Sequence, residues 1–365
     1  MKTIESYYKF SPEVLEIFEL MKTTMQSPKH HAEGDVYIHT QMVISEVEKI
    51  LHKYPERTQK LLLNTAIFHD IAKPFTTEEI WEKRVKTWIS PGHAKLGEKV
   101  FRELMWDEFN YEDREEIAKL IRHHGLPMWF SEKENPDMAI IKASLGCNLS
   151  ELAQFAECDF RGRICNDLDE CLFKIELFKE RAQELGCWDK PYQFTSNWAR
   201  LHYFKNGDYP GKEIWEPERG WLVVMCGVPG SGKNTWVNQN WHGPIIELDA
   251  IRKKNNYKGH KKSDQGRVAQ EAKKTLKEYL ASNTDVLWNG TNMTAQQRAS
   301  IIDIGLEYGA KIKIVYIDCS VEQALKQNKQ RNEYKQVKDS VIEKYARRIE
   351  LPDLTECHEL EIVKN

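Results

Sequence analysis

None of the eight cysteines in this 365-residue sequence forms a Cys-x-x-Cys pair, and several sit inside apolar runs, as reduced core thiols do. A disulfide framework and a zinc ribbon are therefore not expected. No apolar run approaches the roughly 20 residues of a membrane span, and Met1-Lys2-Thr3 leads into Tyr, Glu and Ser without a signal-type apolar core. A cytoplasmic protein without a membrane partner is the expectation. Repeats of about 20–50 residues and low-complexity tracts are also missing, which excludes solenoids and fibrous proteins. What is present, 41% hydrophobic and 30% charged residues, describes ordinary globular cores in a chain long enough for two domains. The net charge of −3 hides an asymmetry: from Arg219 onward 24 Lys and Arg face 18 Asp and Glu, whereas 29 face 38 before it. Ten of the basic residues fall between Arg252 and Lys277, a run that reads either as a solvated helix face or as a polyanion site.

Up to about residue 190 the apolar spacing is helical. Met42, Val43, Val47, Ile50, Leu51 and Tyr54 keep gaps of three and four, as do Leu61, Leu62, Thr65, Phe68 and Ala72. An all-α domain over 1–187 is expected, with further helices near 93–109, 112–124, 138–145, 150–160 and 168–185. Eight of the twelve histidines precede Gly125. His39 heads a helix, His69-Asp70 end one, His93 follows Pro91-Gly92, His123-His124 close another and Asp159 one more. Singly, each reads as a capping or surface residue. Together they supply the imidazoles and carboxylates that a two-metal phosphoesterase uses to activate water and hold phosphoryl oxygens.

At these residues the chain resembles the HD phosphohydrolase superfamily, whose His, His-Asp, His and Asp are matched in order by His39, His69-Asp70, His93, His124 and Asp159. The resemblance implies that these six hold two divalent transition metals (Mn, Co, Ni, Fe, Zn or Cu), with Asp70 bridging. It selects His124 over His123 because Gly125-Leu126-Pro127 follows. Lys73, in His69-Asp70-Ile71-Ala72-Lys73-Pro74, is similar to a lysine that contacts the substrate phosphate, and Arg163 looks like a further phosphate contact. His30, His31 and His52 fit no position and read as surface residues.

Between Gly186 and Gly220 the periodicity lapses into prolines, glycines and eight aromatics, Trp188 to Trp215. So many rings argue for a packed interdomain segment, 188–218, with a base-stacking platform as the other reading. A third region, 219–365, opens on Leu222-Val223-Val224-Met225-Cys226, an inner strand of a parallel sheet, and then Gly227-Val228-Pro229-Gly230-Ser231-Gly232-Lys233-Asn234-Thr235. Those glycines let backbone N–H groups meet a phosphate, and Lys233 adds a cation at the start of a helix. Asn234 stands where the pattern places a Mg²⁺-binding hydroxyl, so either its amide oxygen or water and phosphates hold the ion. Strands near 244–248, 286–288 and 313–317 alternate with helices, as in an α/β fold whose parallel sheet is wrapped by helices. Asp249 and Arg252 follow the first of these strands, and the second ends in Asn289-Gly290-Thr291-Asn292 without an acid, which argues against a motor ATPase.

This half resembles the 5′-OH polynucleotide kinase branch of P-loop phosphotransferases. The resemblance implies that Gly227, Gly230, Ser231, Gly232, Lys233, Asn234 and Thr235 bind ATP or another NTP with Mg²⁺, and that Asp249 is the general base. Arg252, Asn292 and Arg298 would meet the acceptor nucleic acid, and Arg331, in a lid over Asn328 to Ile342, would neutralise the transferring phosphate. Gln327, Lys338 and Asn234 depart from the family's pattern. The whole chain looks like the bifunctional HD-domain polynucleotide kinases of bacterial RNA repair. That implies removal of 3′-phosphate or 2′,3′-cyclic phosphate, phosphorylation of 5′-OH ends of RNA or DNA, and an RNA ligase as partner. An HD nucleotidase fused to a nucleoside kinase, and a non-enzymatic nucleotide-sensing switch, are the rival readings.

Overall fold

A computed structural model describes residues 3–82, 84–257, 262–332 and 336–365. The chain divides into two compact units, Met1–Gln193 and Phe194–Asn365. Among the described residues no helix is long and apolar enough to cross a membrane.

In the first unit the expected helices form as Val36–Ile50, Glu56–Phe68, His93–Leu104, Tyr111–His123, Pro136–Ser144, Leu149–Arg161 and Leu168–Glu184. Their starts are set by short polar side chains that accept from the first turn's free N–H groups: Asp35 from Ile38, Asn110 from Asp113, and Asn135 from Met138 with Pro136 next. Their apolar stripes meet in one core, where Phe18, Phe68, Phe101 and Phe155 are fully buried. Each such ring stabilises the fold by roughly 1.5–3 kcal/mol. The expectation of an all-helical domain needs one correction. β1 (Glu78–Glu82) and β2 (Val85–Ile89) pair antiparallel, Glu78 against Ile89 and Glu82 against Val85. Ile80, Trp81, Val85, Thr87, Trp88 and Ile89 are β-branched or aromatic, which suits a strand better than a helix.

In the second unit β3 (Trp221–Cys226), β4 (Ile245–Glu247), β5 (Val286–Asn289), β6 (Lys311–Asp318) and β7 (Glu359–Lys364) form a parallel sheet in the order β4-β5-β3-β6-β7. β3 is central and almost wholly buried, which explains its unbroken apolar run. β7 and the Asn197–Asn206 helix are additions to the expected elements. Arg200, on that helix, donates to the carbonyls of Leu354, Cys357 and His358 at 2.9, 3.1 and 2.8 Å and so ties it to the chain entering β7. The aromatic stretch is accordingly shared out. Trp188 and Tyr192 pack on the first unit's core, whereas Phe194 and Tyr203 stack 5.6 Å apart in the second and Trp198 lies 4.1 Å from His358. Tyr209 and Trp215 are largely exposed.

Candidate metal centre and nucleotide pocket

Five helix ends in the first unit bring the expected ligands together. His39 lies one turn into the Val36–Ile50 helix, and His69 and His124 are C-caps of their helices. His93 opens the His93–Leu104 helix behind Gly92, whose φ of +71° is left-handed and suits glycine. Asp159 sits in the last turn of Leu149–Arg161. The Nε2 atoms pair up: His39 and His69 are 3.4 Å apart, His93 and His124 3.2 Å. Asp70 stands between the pairs, with Oδ2 3.2 Å from His69 Nε2 and Oδ1 3.5 Å from His93 Nε2. Asp159 Oδ1 is 3.1 Å from His39 Nε2. Of the adjacent histidines, His124 and not His123 enters the cluster.

Hydrogen bonding decides what this arrangement fits. Each Nδ1 faces a backbone carbonyl: His39 that of Gly162 (3.2 Å), His69 Ala66 (2.9 Å), His93 Ser90 (2.7 Å) and His124 Ile121 (2.8 Å). The proton of a neutral ring therefore sits on Nδ1, and in the His93–His124 pair two Nε2 lone pairs confront each other. Burial pushes His124 down to about 3 and lowers His93, so a shared proton does not relieve the second pair at neutral pH. His39 shifts upward instead: burial opposes its charge, but hydrogen bonds to Asp159 and Glu33 outweigh that. Neither buried oxygen of Asp70 has a hydrogen bond, although the Lys73 ammonium lies 2.7 Å from Oδ2 as a charge contact. Lys73 offsets one of these oxygens, but the facing lone pairs of His93 and His124 and the Oδ1 of Asp70 beside them stay costly unless a cation joins them. Imidazole with carboxylate is the donor set of divalent transition metals.

The neighbours fix this geometry. Lys73 is buried, its Nζ held 2.6 Å from Gln26 Oε1. Arg163 grips Asp159 with both arms of its fork, at 3.2 and 2.6 Å, and lies over the Phe160 ring. Gly162 permits the approach: a Cβ there would come within 2.7–2.8 Å of Val43, in the helix that carries His39. The reading of His31 as a surface residue is corrected. It is mostly buried, its ring 4.8 Å from that of His39 and its Nδ1 2.8 Å from Glu33, whereas His30 is half-exposed beside Asp167.

In the second unit the loop after β3 turns through left-handed φ at Gly227, Gly230 and Gly232 (+148°, +90° and +99°). A Cβ on Gly230 would lie 2.4 Å from the Ala324 carbonyl, so only glycine fits there. Lys233 is buried and donates to the carbonyls of Gly227 and Val228, both at 2.8 Å. Burial lowers its pKa to about 8. Beside it opens a cavity of about 1090 Å³, lined among others by Ser231, Asn234, Thr235, Asp249 and Arg331. Asp249 lies in the first turn of the Leu248–Lys254 helix, exposed and ion-paired with Arg252. Asn289 Nδ2 donates to Asn234 Oδ1 (3.1 Å) and to Glu247 Oε1 (2.9 Å), a polar chain across the ends of β4 and β5. Asn292 and Arg298, expected at the acceptor, are in the core instead. Asn292 donates to the Met225 carbonyl at 2.7 Å. Arg298 is fully buried, clamped on Glu356 at 2.8 and 2.7 Å and on the Asn292 carbonyl at 3.0 Å. Together with the Cys226 sulfur at 3.8 Å, these acceptors tie the loop after β5 to Glu356 and leave no donor arm facing solvent. Asn328, at the expected lid, clasps Val337 through both main-chain groups, and the part of that lid at 333–335 lies outside the described residues.

Comparison with known proteins agrees with both halves. The family model described as HD domain matches residues 36–144, and one described as AAA domain matches 222–352. The chain joins an HD domain to a P-loop domain. Among solved structures it is similar to a chain of the Pnkp1/Rnl/Hen1 RNA repair complex (22% identity, 40% of this chain and 46% of that one, TM-score 0.34). It is also similar to a putative kinase from Chloroflexus aurantiacus (13%, 40% and 87%, 0.35) and to the Mycobacterium tuberculosis APS kinase CysC (14%, 40% and 90%, 0.30). The match thus spans under half the length of the repair-complex chain. No curated protein matches.

Three features of the HD and P-loop domains escape sequence reasoning. Glu33 and Gln26 sit in a polar stretch without periodicity, where nothing marks them as buried. Glu247 carried a signal, being the polar residue at the carboxyl end of a short apolar strand in a parallel sheet.

Proposed function

We propose that the chain heals nucleic-acid ends: the HD domain removes a 3′-phosphate or 2′,3′-cyclic phosphate, and the P-loop domain moves the γ-phosphate of ATP or another NTP to a 5′-OH. The observation that carries the first activity is the convergence of four imidazole Nε2 atoms, in two close pairs, on either side of Asp70. His39, His69, Asp70 and Asp159 would hold one divalent cation, and Asp70, His93 and His124 the other. Such a pair supplies Lewis acidity for attack of water on a phosphoester. The chain's own groups do the rest. Arg163 keeps Asp159 turned toward His39, and Gln26 keeps the Lys73 ammonium beside Asp70, where a substrate phosphate meets it.

In the P-loop domain, loop N–H groups and Lys233 cradle the phosphates once Lys233 leaves the carbonyls of Gly227 and Val228. Asp249, open to the cavity and braced by Arg252, takes the proton of the attacking hydroxyl. Arg331 faces the same cavity and offsets charge on the transferring group, while Asn234 would hold Mg²⁺ directly or through water. Asn292 and Arg298, buried on internal partners, would act by holding the loop after β5 in place. An oligonucleotide acceptor fits the basic run, of which Lys253 lines the cavity; Lys258 and Lys261 lie outside the described residues. RNA ends, sealed afterwards by an RNA ligase, are the substrate class this reading assigns.

The test offers an RNA bearing a 5′-OH and a 3′-phosphate, with labelled ATP, Mg²⁺ and either Mn²⁺, Ni²⁺ or Co²⁺, and reads both ends. Asp249→Ala abolishes 5′ labelling, by at least about 100-fold if the base contributes as usual, and leaves 3′ dephosphorylation intact. Asp70→Ala does the reverse. If both variants lose both activities, the two sites are not independent. If a mononucleoside outcompetes the oligonucleotide, the nucleoside-kinase reading replaces this one.

A further inference from the structure

Behind His39 lies a carboxylate that the proposed reaction does not use. The Glu33 side chain is 1% accessible. It accepts from His31 Nδ1 at 2.8 Å, from His39 Nδ1 at 3.1 Å and from the Ile164 N–H at 2.9 Å. His31, Glu33 and His39 lie close enough to suggest a third cation site. That reading fails on the geometry, because each ring turns Nδ1 to Glu33 and His39 directs its other nitrogen, Nε2, into the main cluster. His69, His93 and His124 rest Nδ1–H on a neutral backbone carbonyl alone. Only His39, among these four, also has an anion behind it.

Charge gives this asymmetry a purpose. Around the His39–His69 pair stand two carboxylates, Asp70 and Asp159, and two cations: Lys73, 2.7 Å from Asp70, and Arg163, 2.6 Å from Asp159. The cations offset the carboxylates one for one, so without a further anion that half of the centre would be neutral and poorly suited to a dication. The His93–His124 pair shares Asp70, whose Oδ1 faces His93 Nε2 at 3.5 Å while Lys73 sits on Oδ2, the oxygen nearer His69.

Resting on the metal-centre reading, we infer that Glu33 is a positioning residue that secures one of the two cations: through His39 it orients the ring and supplies the uncompensated negative charge of the His39–His69–Asp159 half. An anion hydrogen-bonded behind a ligating imidazole typically changes metal affinity by about 10–100-fold.

The experiment titrates Mn²⁺ into metal-stripped full-length protein by equilibrium dialysis, for the wild type, Glu33→Gln and Glu33→Asp, with ATP binding at the P-loop as a check of folding. Glu33→Gln weakens one of two ions about 10–100-fold and leaves the other, and Glu33→Asp recovers part of the loss. Crystals of Glu33→Gln in limiting Mn²⁺ show the weakened peak between His39 and His69. Equal weakening of both ions, or of neither, overturns the inference while the metal centre stands. A wild type that binds no divalent cation at the cluster sinks the centre and the inference with it.

Discussion

At the residue scale, ligand types are readable from sequence because chemistry and position coincide: His69, Asp70, His93 and His124 stand at helix ends, where side chains from different helices meet. Glu33 and His31 are not readable. Their burial is created by a loop folding onto the helix that carries His39, and no spacing announces it. Arg298 shows the opposite failure. Its guanidinium suits a nucleic-acid phosphate and a buried carboxylate equally well, and Glu356, 58 residues further on, takes it. Lys233 yields a prediction here. Burial holds it near pKa 8 while it faces only carbonyls. Nucleotide phosphates favour its charged form and raise that pKa. Above about pH 8 the free lysine is partly neutral and the bound one charged, so nucleotide binding takes up a proton. Well below that pH both are charged and uptake vanishes. Calorimetry in buffers of different ionisation enthalpy measures this, and uptake independent of pH contradicts it.

At the element scale, helices with a clear apolar stripe and a polar cap, and strands buried on both faces, are legible within a few residues. The β1–β2 hairpin is harder to read, because two short strands with mostly exposed side chains give no core-facing alternation to follow. β7 is missed for a related reason: as the edge strand beside β6 it alternates charged and apolar residues and lies far from the motifs. Helix-to-helix approach matters most where Leu149–Arg161 meets Val36–Ile50. Gly162→Ala places a methyl 2.7–2.8 Å from Val43, overpacking that costs about 1–3 kcal/mol. The helices part, and His39 loses its place opposite His69. Chemical denaturation detects the lost stability and dialysis the lost metal, with ATP binding unchanged. A variant as stable and as metal-rich as the wild type refutes this account of the contact.

At the scale of the whole molecule, the chain holds two compact units, each with its own candidate site. Charge follows the division, acidic in the half with the phosphate-removing candidate and basic in the half with the phosphate-adding one. That division is legible from composition and motif order; the break, between Gln193 and Phe194, falls inside the aromatic segment 188–218, whose rings pack partly in each unit. The account rests above all on the cluster around Asp70. Crystals of the full chain soaked in Mn²⁺ and measured at the manganese absorption edge test it directly. The account predicts two anomalous peaks, one between His39 and His69 and one between His93 and His124, with an Asp70 oxygen on each. A map without density at Asp70, while Mn²⁺ binds elsewhere in the same crystal, contradicts it.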